Sequence, residues 1–162
     1  TVPGAGSDYP IVQAHEGDPD HYLRYDVYGG WNYHGVPYLH WNAQMMACWA
    51  PARLVFGHHL NDGTMFSALA CFSDAGYAEG HSPIILQTPG DAGLRVLAVD
   101  VVDAGREAPR LVTDDAEHAQ WLARVVADAD LSLVGEASTL VRESVVTLCT
   151  CSYNRWATSA RW

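Results

Sequence analysis

Helical periodicity occurs once in this chain, and the remaining apolar residues come in short runs between turn formers. From Asp114 onward, Trp121, Leu122, Val125, Val126 and Ala129 recur at helical spacing, which lays an apolar stripe along one face. Asp114 is placed to cap that helix, with Glu117 in the position that completes a capping box. The other apolar runs predict strands at 9–13, Val36–Leu39, Ala52–Gly57, Pro83–Thr88, Leu94–Val102 and Val145–Cys151. Pro89-Gly90-Asp91 joins two of these as an antiparallel hairpin, and Asn61-Asp62-Gly63 marks a turn before a short helix at Met65–Cys71. Residues 16–35, rich in Asp, Gly, His and Tyr, read as loop with one helical turn. Many short strands and one long helix predict a mainly β fold, a barrel or closed sheet with helices at its edges.

A chain of 162 residues, 49% hydrophobic and 17% charged, suits a single packed domain spanning residues 1–162. The net charge of −10, from 9 Lys and Arg against 19 Asp and Glu, argues against a nucleic-acid surface, which needs clustered cations. No apolar run is long enough to span a bilayer, and no secretory leader is recognisable. The opening Thr1-Val2-Pro3-Gly4 reads as the interior of a longer polypeptide, so an upstream segment is expected. The four cysteines are too few for a disulfide scaffold. Cys149 and Cys151 would share one strand face, a poor geometry for a mutual bond. The sequence leaves the pairing of Cys48 with Cys71 open, although free cysteines favour buried apolar sites.

Thr147-Leu148-Cys149-Thr150-Cys151 closes the last strand run. A cysteine at a strand end is held rigidly and can still be reached, as a nucleophilic thiol must be. Phe56-Gly57-His58-His59-Leu60 is a second strand end, stopping at histidine before a turn. Imidazole carries protons near neutral pH and lowers the pKa of a neighbouring thiol. Arg161, with Arg155 as its rival, would add a permanent cation for an oxyanion. Cys149, deeper on the strand, reads as core. His15, His21, His34, His40, His81 and His118 lie in polar or loop-like surroundings and show no zinc-ligand spacing.

The segment Phe56-Gly57-His58-His59-Leu60-Asn61-Asp62-Gly63-Thr64-Met65-Phe66 resembles the histidine motif of the sortases, especially class B. Thr147-Leu148-Cys149-Thr150-Cys151 is similar to their Thr-Leu-x-Thr-Cys nucleophile motif. Val2-Pro3-Gly4, Asp8-Tyr9-Pro10-Ile11-Val12-Gln13, His21-Tyr22-Leu23 and Met65-Phe66-Ser67-Ala68-Leu69 extend the resemblance, which runs in family order from residue 2 to 162. It implies a closed sortase-type barrel of about seven to eight mixed strands with peripheral helices, one of them long and preceding the cysteine strand.

The resemblance places the catalytic roles on His58, Cys151 and Arg161, and a role in shaping the acyl site on Thr150. It implies a cysteine transpeptidase that cleaves a sorting signal after threonine through a thioacyl intermediate. The acyl group would pass to a cell-wall precursor or pilin amine, with no cofactor and no metal. The enzyme would stand on the outer face of the membrane, held by an anchor outside this chain. Tyr153 stands where some class B members carry Asp, and the chain stops at Trp162 where the family continues into a closing strand. Those departures motivate the alternative of a surface module that kept the barrel without the reaction. A hydrolase using water as acceptor would share the same three residues.

Overall fold

The computed structural model describes residues 1–43, 52–87, 92–103, 111–112, 114–134 and 144–151. In chain order the strands are β1 (Val12–Gln13), β2 (Tyr38–Leu39), β3 (Ala52–Phe56), β4 (Ile84–Leu86), β5 (Ala92–Leu94), β6 (Ala98–Val99), β7 (Leu131–Ser132) and β8 (Val145–Cys149). The α-helices are α1 (Ala75–Gly80) and α2 (Asp115–Asp128), with 3-10 turns at His21–Leu23 and Ser67–Ser73. Among the described residues the strands pair as a four-stranded sheet in the order β1-β2-β3-β8 and as two two-stranded ladders, β4-β5 and β6-β7. The main sheet is mixed, because β1–β2 and β3–β8 run parallel while β2–β3 runs antiparallel. No helix among the described residues is long and apolar enough to cross a membrane.

Two faces of the main sheet have different work. The register Leu39↔Val55 and Val55↔Leu148 aligns three apolar side chains on one face, since strand side chains alternate. Leu39 and Val55 are buried there with Ala43 and Phe66, and Val146, Leu148 and Ile11 pack against them. Each such side chain contributes about 1.5–3 kcal/mol by leaving water. The opposite face carries Tyr38, Phe56 and Cys149, joined by the registers Tyr38↔Phe56 and Phe56↔Cys149. The Tyr38 and Phe56 rings stack with centroids 5.4 Å apart.

The antiparallel pairing expected of the Pro83–Thr88 run is present as β4 with β5, with Ile84↔Leu94 and Leu86↔Ala92 in register, while Thr88 and the turn Pro89-Gly90-Asp91 lie outside the described residues. The single strand expected at Leu94–Val102 is two strands. β5 serves the hairpin and β6 turns to pair with β7, so the chain must break between two different partners. Val96, in that break, packs with Leu131 and Val99 against buried Val2, Phe72 and Ala78. The expected helix at Met65–Cys71 is the 3-10 helix Ser67–Ser73. The unanticipated α1 then follows, capped by Asp74 Oδ1, which accepts from Tyr77 N at 2.8 Å. The expected strand at 9–13 shortens to β1, and the last strand ends at Cys149 rather than Cys151.

Helix α2 begins as expected, with Asp114 Oδ1 accepting from Ala116 N and Glu117 N, both at 3.0 Å. Its inner face buries Leu122 and also His118, which is 2% exposed. His118 therefore belongs to the packed stripe and corrects the polar setting expected for it. Helical spacing puts residue 118 one turn before Leu122. Asp114→Ala is expected to lower folding stability by about 1 kcal/mol, read as a lower urea midpoint with an unchanged denaturant slope.

Candidate active site

The β3–β8 ladder positions the site. Its five paired residues run from Ala52↔Val145 to Phe56↔Cys149, and Gly57 N donates to Cys149 O at 3.0 Å beyond the last pair. Continuing that register carries His58 alongside Cys151, at the same end of adjacent parallel strands. Segments distant in sequence thus bring Gly57-His58 and Thr150-Cys151 to one end of the sheet.

Gly57 has no tolerance for a side chain, since an added Cβ would lie 2.6 Å from Phe66 Cδ2. Phe66 is pressed there by a constrained loop. Gly63, at φ +81°, closes the turn with its N–H on Leu60 O at 3.1 Å, a backbone angle that glycine adopts without steric cost. Asp62 Oδ1 accepts from Thr64 N and Oγ1, at 3.0 and 2.7 Å, and those bonds hold its carboxyl below the usual range. Met65 sits at φ +57°, kept in that costly region by its N–H on Tyr9 Oη and its carbonyl under Ser7 Oγ. Phe66 N then donates to His58 O at 2.9 Å, so loop and strand end are one unit.

The two histidines face different partners. His58 Nε2 lies 3.0 Å from Leu23 O, which only accepts, and 3.5 Å from Arg24 Nη1, which only donates; the shorter contact favours the hydrogen on Nε2. That leaves His58 Nδ1 as the basic nitrogen, with no hydrogen-bond partner among the described residues. Arg24 flanks the ring, Nη1 at 3.5 Å from Nε2. The same Nη1 donates to Leu23 O at 3.3 Å and Tyr33 O at 2.8 Å, and the guanidinium carbon stands 4.8 Å over the Tyr33 ring. His59 Nδ1 instead donates to the backbone carbonyl of Cys151 at 2.8 Å.

Cys151 is 8% exposed, less open than a strand-end position led one to expect. The polypeptide has left the β8 ladder two residues earlier, and the His59 ring covers its carbonyl. Thr150, one residue before, alternates toward the core face. Its Oγ1 is buried without a hydrogen-bond partner among the described residues, at a cost of about 1–3 kcal/mol. Cys149 is partly buried on the aromatic face rather than in the core cluster expected for it, and burial pushes its thiol up to about 12. Burial, and then the Asp20 carboxylate 3.3 Å from its hydroxyl, hold the Tyr38 phenol on the same face above its ordinary range.

Arg161 and its rival Arg155 lie outside the described residues, as do Cys48 and Tyr153. Cys71 is free and exposed, correcting the buried setting expected of it. The 3-10 helix turns Ser67 and Phe72 inward and leaves Cys71 outward. It lines a cleft of about 540 Å³ together with His59, Ser67, Asp74 and Tyr77. No cluster of three or more His, Cys, Asp or Glu among the described residues is placed to hold a metal ion. The contributions of the Leu23 carbonyl and of Arg24 had no sequence signal, because the loop that carries them shows no pattern linking it to residue 58.

No protein-family model matches the sequence, nor does any curated protein sequence. Solved structures do match. A sortase B–substrate complex from Staphylococcus aureus superposes with TM-score 0.81 at 20% identity, covering 99% of this chain and 72% of that one. Sortase B from Clostridium perfringens gives 0.78 at 19% identity, covering 95% and 84%. Sortase B from Listeria monocytogenes gives 0.75 at 19%, covering 94% and 85%. The chain has the sortase fold, mainly sheet with few helices, and its structural neighbours are class B sortases.

The unfolded chain releases the Cys149 proton near 9.0, the folded protein only near 12. A raised folded-state value favours the protonated fold, so this stabilisation is intact below pH 9 and lost as pH rises toward 12, by at most about 1.4 kcal/mol per pH unit. Cys149→Ala is expected to flatten the alkaline limb of a stability–pH curve measured by urea denaturation. An unchanged slope would show that other groups govern that limb.

Proposed function

We infer that this protein is a sortase-type cysteine transpeptidase. The observation that carries the reading is the β3–β8 register. It brings Gly57-His58 and Thr150-Cys151 to one end of neighbouring strands, in a fold shared with class B sortases. One of those neighbours is described as a substrate complex, which supports a peptide ligand here. A cleft lined by His59, Ser67, Cys71, Asp74 and Tyr77 adjoins the His59 ring; His58 and Cys151 do not line it.

The Cys151 thiol, once its proton has passed to His58, attacks the carbonyl carbon of a threonine in a sorting signal. A C–S bond forms, and the negative oxygen is held by Arg161 and by backbone N–H groups. The C–N bond then breaks, and the amine departs with a proton supplied by His58 Nδ1, the nitrogen left basic by the Leu23 carbonyl. An acceptor amine from a cell-wall precursor or pilin attacks the thioester, its proton passing to His58. The new C–N bond forms as the C–S bond breaks, returning the thiolate. The orphaned Thr150 hydroxyl, one residue from the nucleophile, is suited to bonding a backbone group of the peptide. In this reading the strands close as a sortase barrel within one domain, and an anchor holds the enzyme on the outer membrane face.

The direct test is mass spectrometry after incubation with short threonine-containing peptides, with and without an added amine. A thioester on Cys151, resolved by the amine in preference to water, supports the assignment. Absence of any adduct across the panel sinks it, and resolution by water alone makes the protein a hydrolase. Cys151→Ala is expected to abolish the adduct while Cys149→Ala retains it. Thr150→Val is expected to leave thermal stability unchanged or higher, because it removes an unpaired buried hydroxyl. Peptide acylation should nonetheless fall about five- to tenfold, for the loss of one hydrogen bond to substrate.

A further inference from the structure

Where a parallel ladder continues, each second residue of one strand donates its amide to the neighbouring strand. Gly57 N donates to Cys149 O, so the next bond in sequence would run from His59 N to Cys151 O. The described residues hold no such bond: after Gly57 the chain folds back, Phe66 N donating to His58 O at 2.9 Å beside the isolated bridge of His59 with Met65. The His59 side chain takes over, its Nδ1 meeting Cys151 O at 2.8 Å. A side chain has replaced a backbone rung, at the residue whose sulfur would react.

We propose that His59 is a positioning residue for the nucleophile, holding the Cys151 backbone in register past the end of β8 through its Nδ1–H while His58 carries the proton. The inference rests on the transpeptidase reading for its consequence in turnover, and on geometry alone for the bond itself. That bond ties the Cys151 peptide to the β3 end two residues beyond the last ladder pair, and its loss would loosen the placement of the thiol against His58. The two adjacent histidines have opposite tautomers because each faces a carbonyl with a different nitrogen: Nε2 of His58 at Leu23 O, Nδ1 of His59 at Cys151 O. The His59 ring also lines the cleft with Ser67, Cys71, Asp74 and Tyr77, so a ligand there would lie against the group that holds the nucleophile.

His59→Asn and His59→Ala separate the roles. The asparagine amide nitrogen stands at the same bond distance from the backbone as Nδ1, and it donates a hydrogen without titrating near neutrality. Alkylation of Cys151 by iodoacetamide, followed against pH by mass spectrometry, reads thiol placement without any peptide. Peptide acylation reads it with one. His59→Asn should keep the pH profile and stay within about twofold of the parent, while His59→Ala should lose roughly tenfold in both rates with KM little changed.

If asparagine is as inactive as alanine and the pH profile loses a limb, His59 is itself the proton carrier and the proposal is overturned. It is equally overturned if both variants match the parent. Nitrogen-15 NMR of histidine-labelled parent protein tests the bond even where a variant fails to fold. His59 in the Nδ1–H form supports the assignment, and the Nε2–H form at neutral pH rejects it. Alkylation that responds to His59→Ala while no peptide ever acylates Cys151 would sustain the positioning role and reject the transpeptidase reading.

Discussion

The parallel pairing of β3 with β8 is the constraint on which the rest of the molecule depends. A parallel pair cannot be closed by a tight turn, so all the chain between Phe56 and Val145 is a crossover connection. The 3-10 turn, α1, both small ladders and α2 lie inside it. The pairing also sets the phase of everything at its end. Because side chains alternate, the register Phe56↔Cys149 sends Gly57 and Thr150 to the core face and Phe56 and Cys149 to the aromatic face. A slip of one residue would exchange those faces. Gly57 against Phe66 guards that phase sterically.

The end of the ladder is where regular structure gives way to chemistry. The chain leaves β3 through a turn whose polar groups are internally satisfied, by Asp62, Gly63 and Ser67. The hydroxyl of Ser67 bonds Leu60 N, Leu60 O and Thr64 O. The loop accommodates a left-handed Met65 because Tyr9 and Ser7 hold it. Such local cost at the rim of a candidate site is the usual place for it. The first forty residues contribute here in a way separate from packing. They bring the Leu23 carbonyl and the Arg24 guanidinium to His58, so a segment outside both motifs selects which ring nitrogen is basic.

Much of the fold was legible in the residues. The capped helix from Asp114 reads from its spacing because the helical period is strong over a long stretch. The antiparallel pairing of β4 with β5 and the turn at Asn61-Asp62-Gly63 read from nearby turn formers, Pro89-Gly90-Asp91 itself lying outside the described residues. The division of Leu94–Val102 did not read, because it reflects which strand each half pairs with, and pairing partners lie far along the chain. His118 was missed because one polar side chain on an apolar stripe carries no mark of burial until α2 is packed. Cys71 was misplaced because a 3-10 helix rotates its faces differently from the α-helix expected there.

The candidate site divides along the same line. Local sequence determined which groups stand at strand ends, namely His58 and His59 after Gly57, and Thr150 and Cys151 after Cys149, since apolar runs and turn formers act over a few residues. Tertiary structure alone decided what those groups face. Leu23 O orients one imidazole, Cys151 O engages the other, and Thr150 Oγ1 is shut away from water without a hydrogen-bond partner among the described residues. The reason is physical: a hydrogen bond acts over about 3 Å in space, and no periodicity along a chain encodes which distant carbonyl will arrive within it.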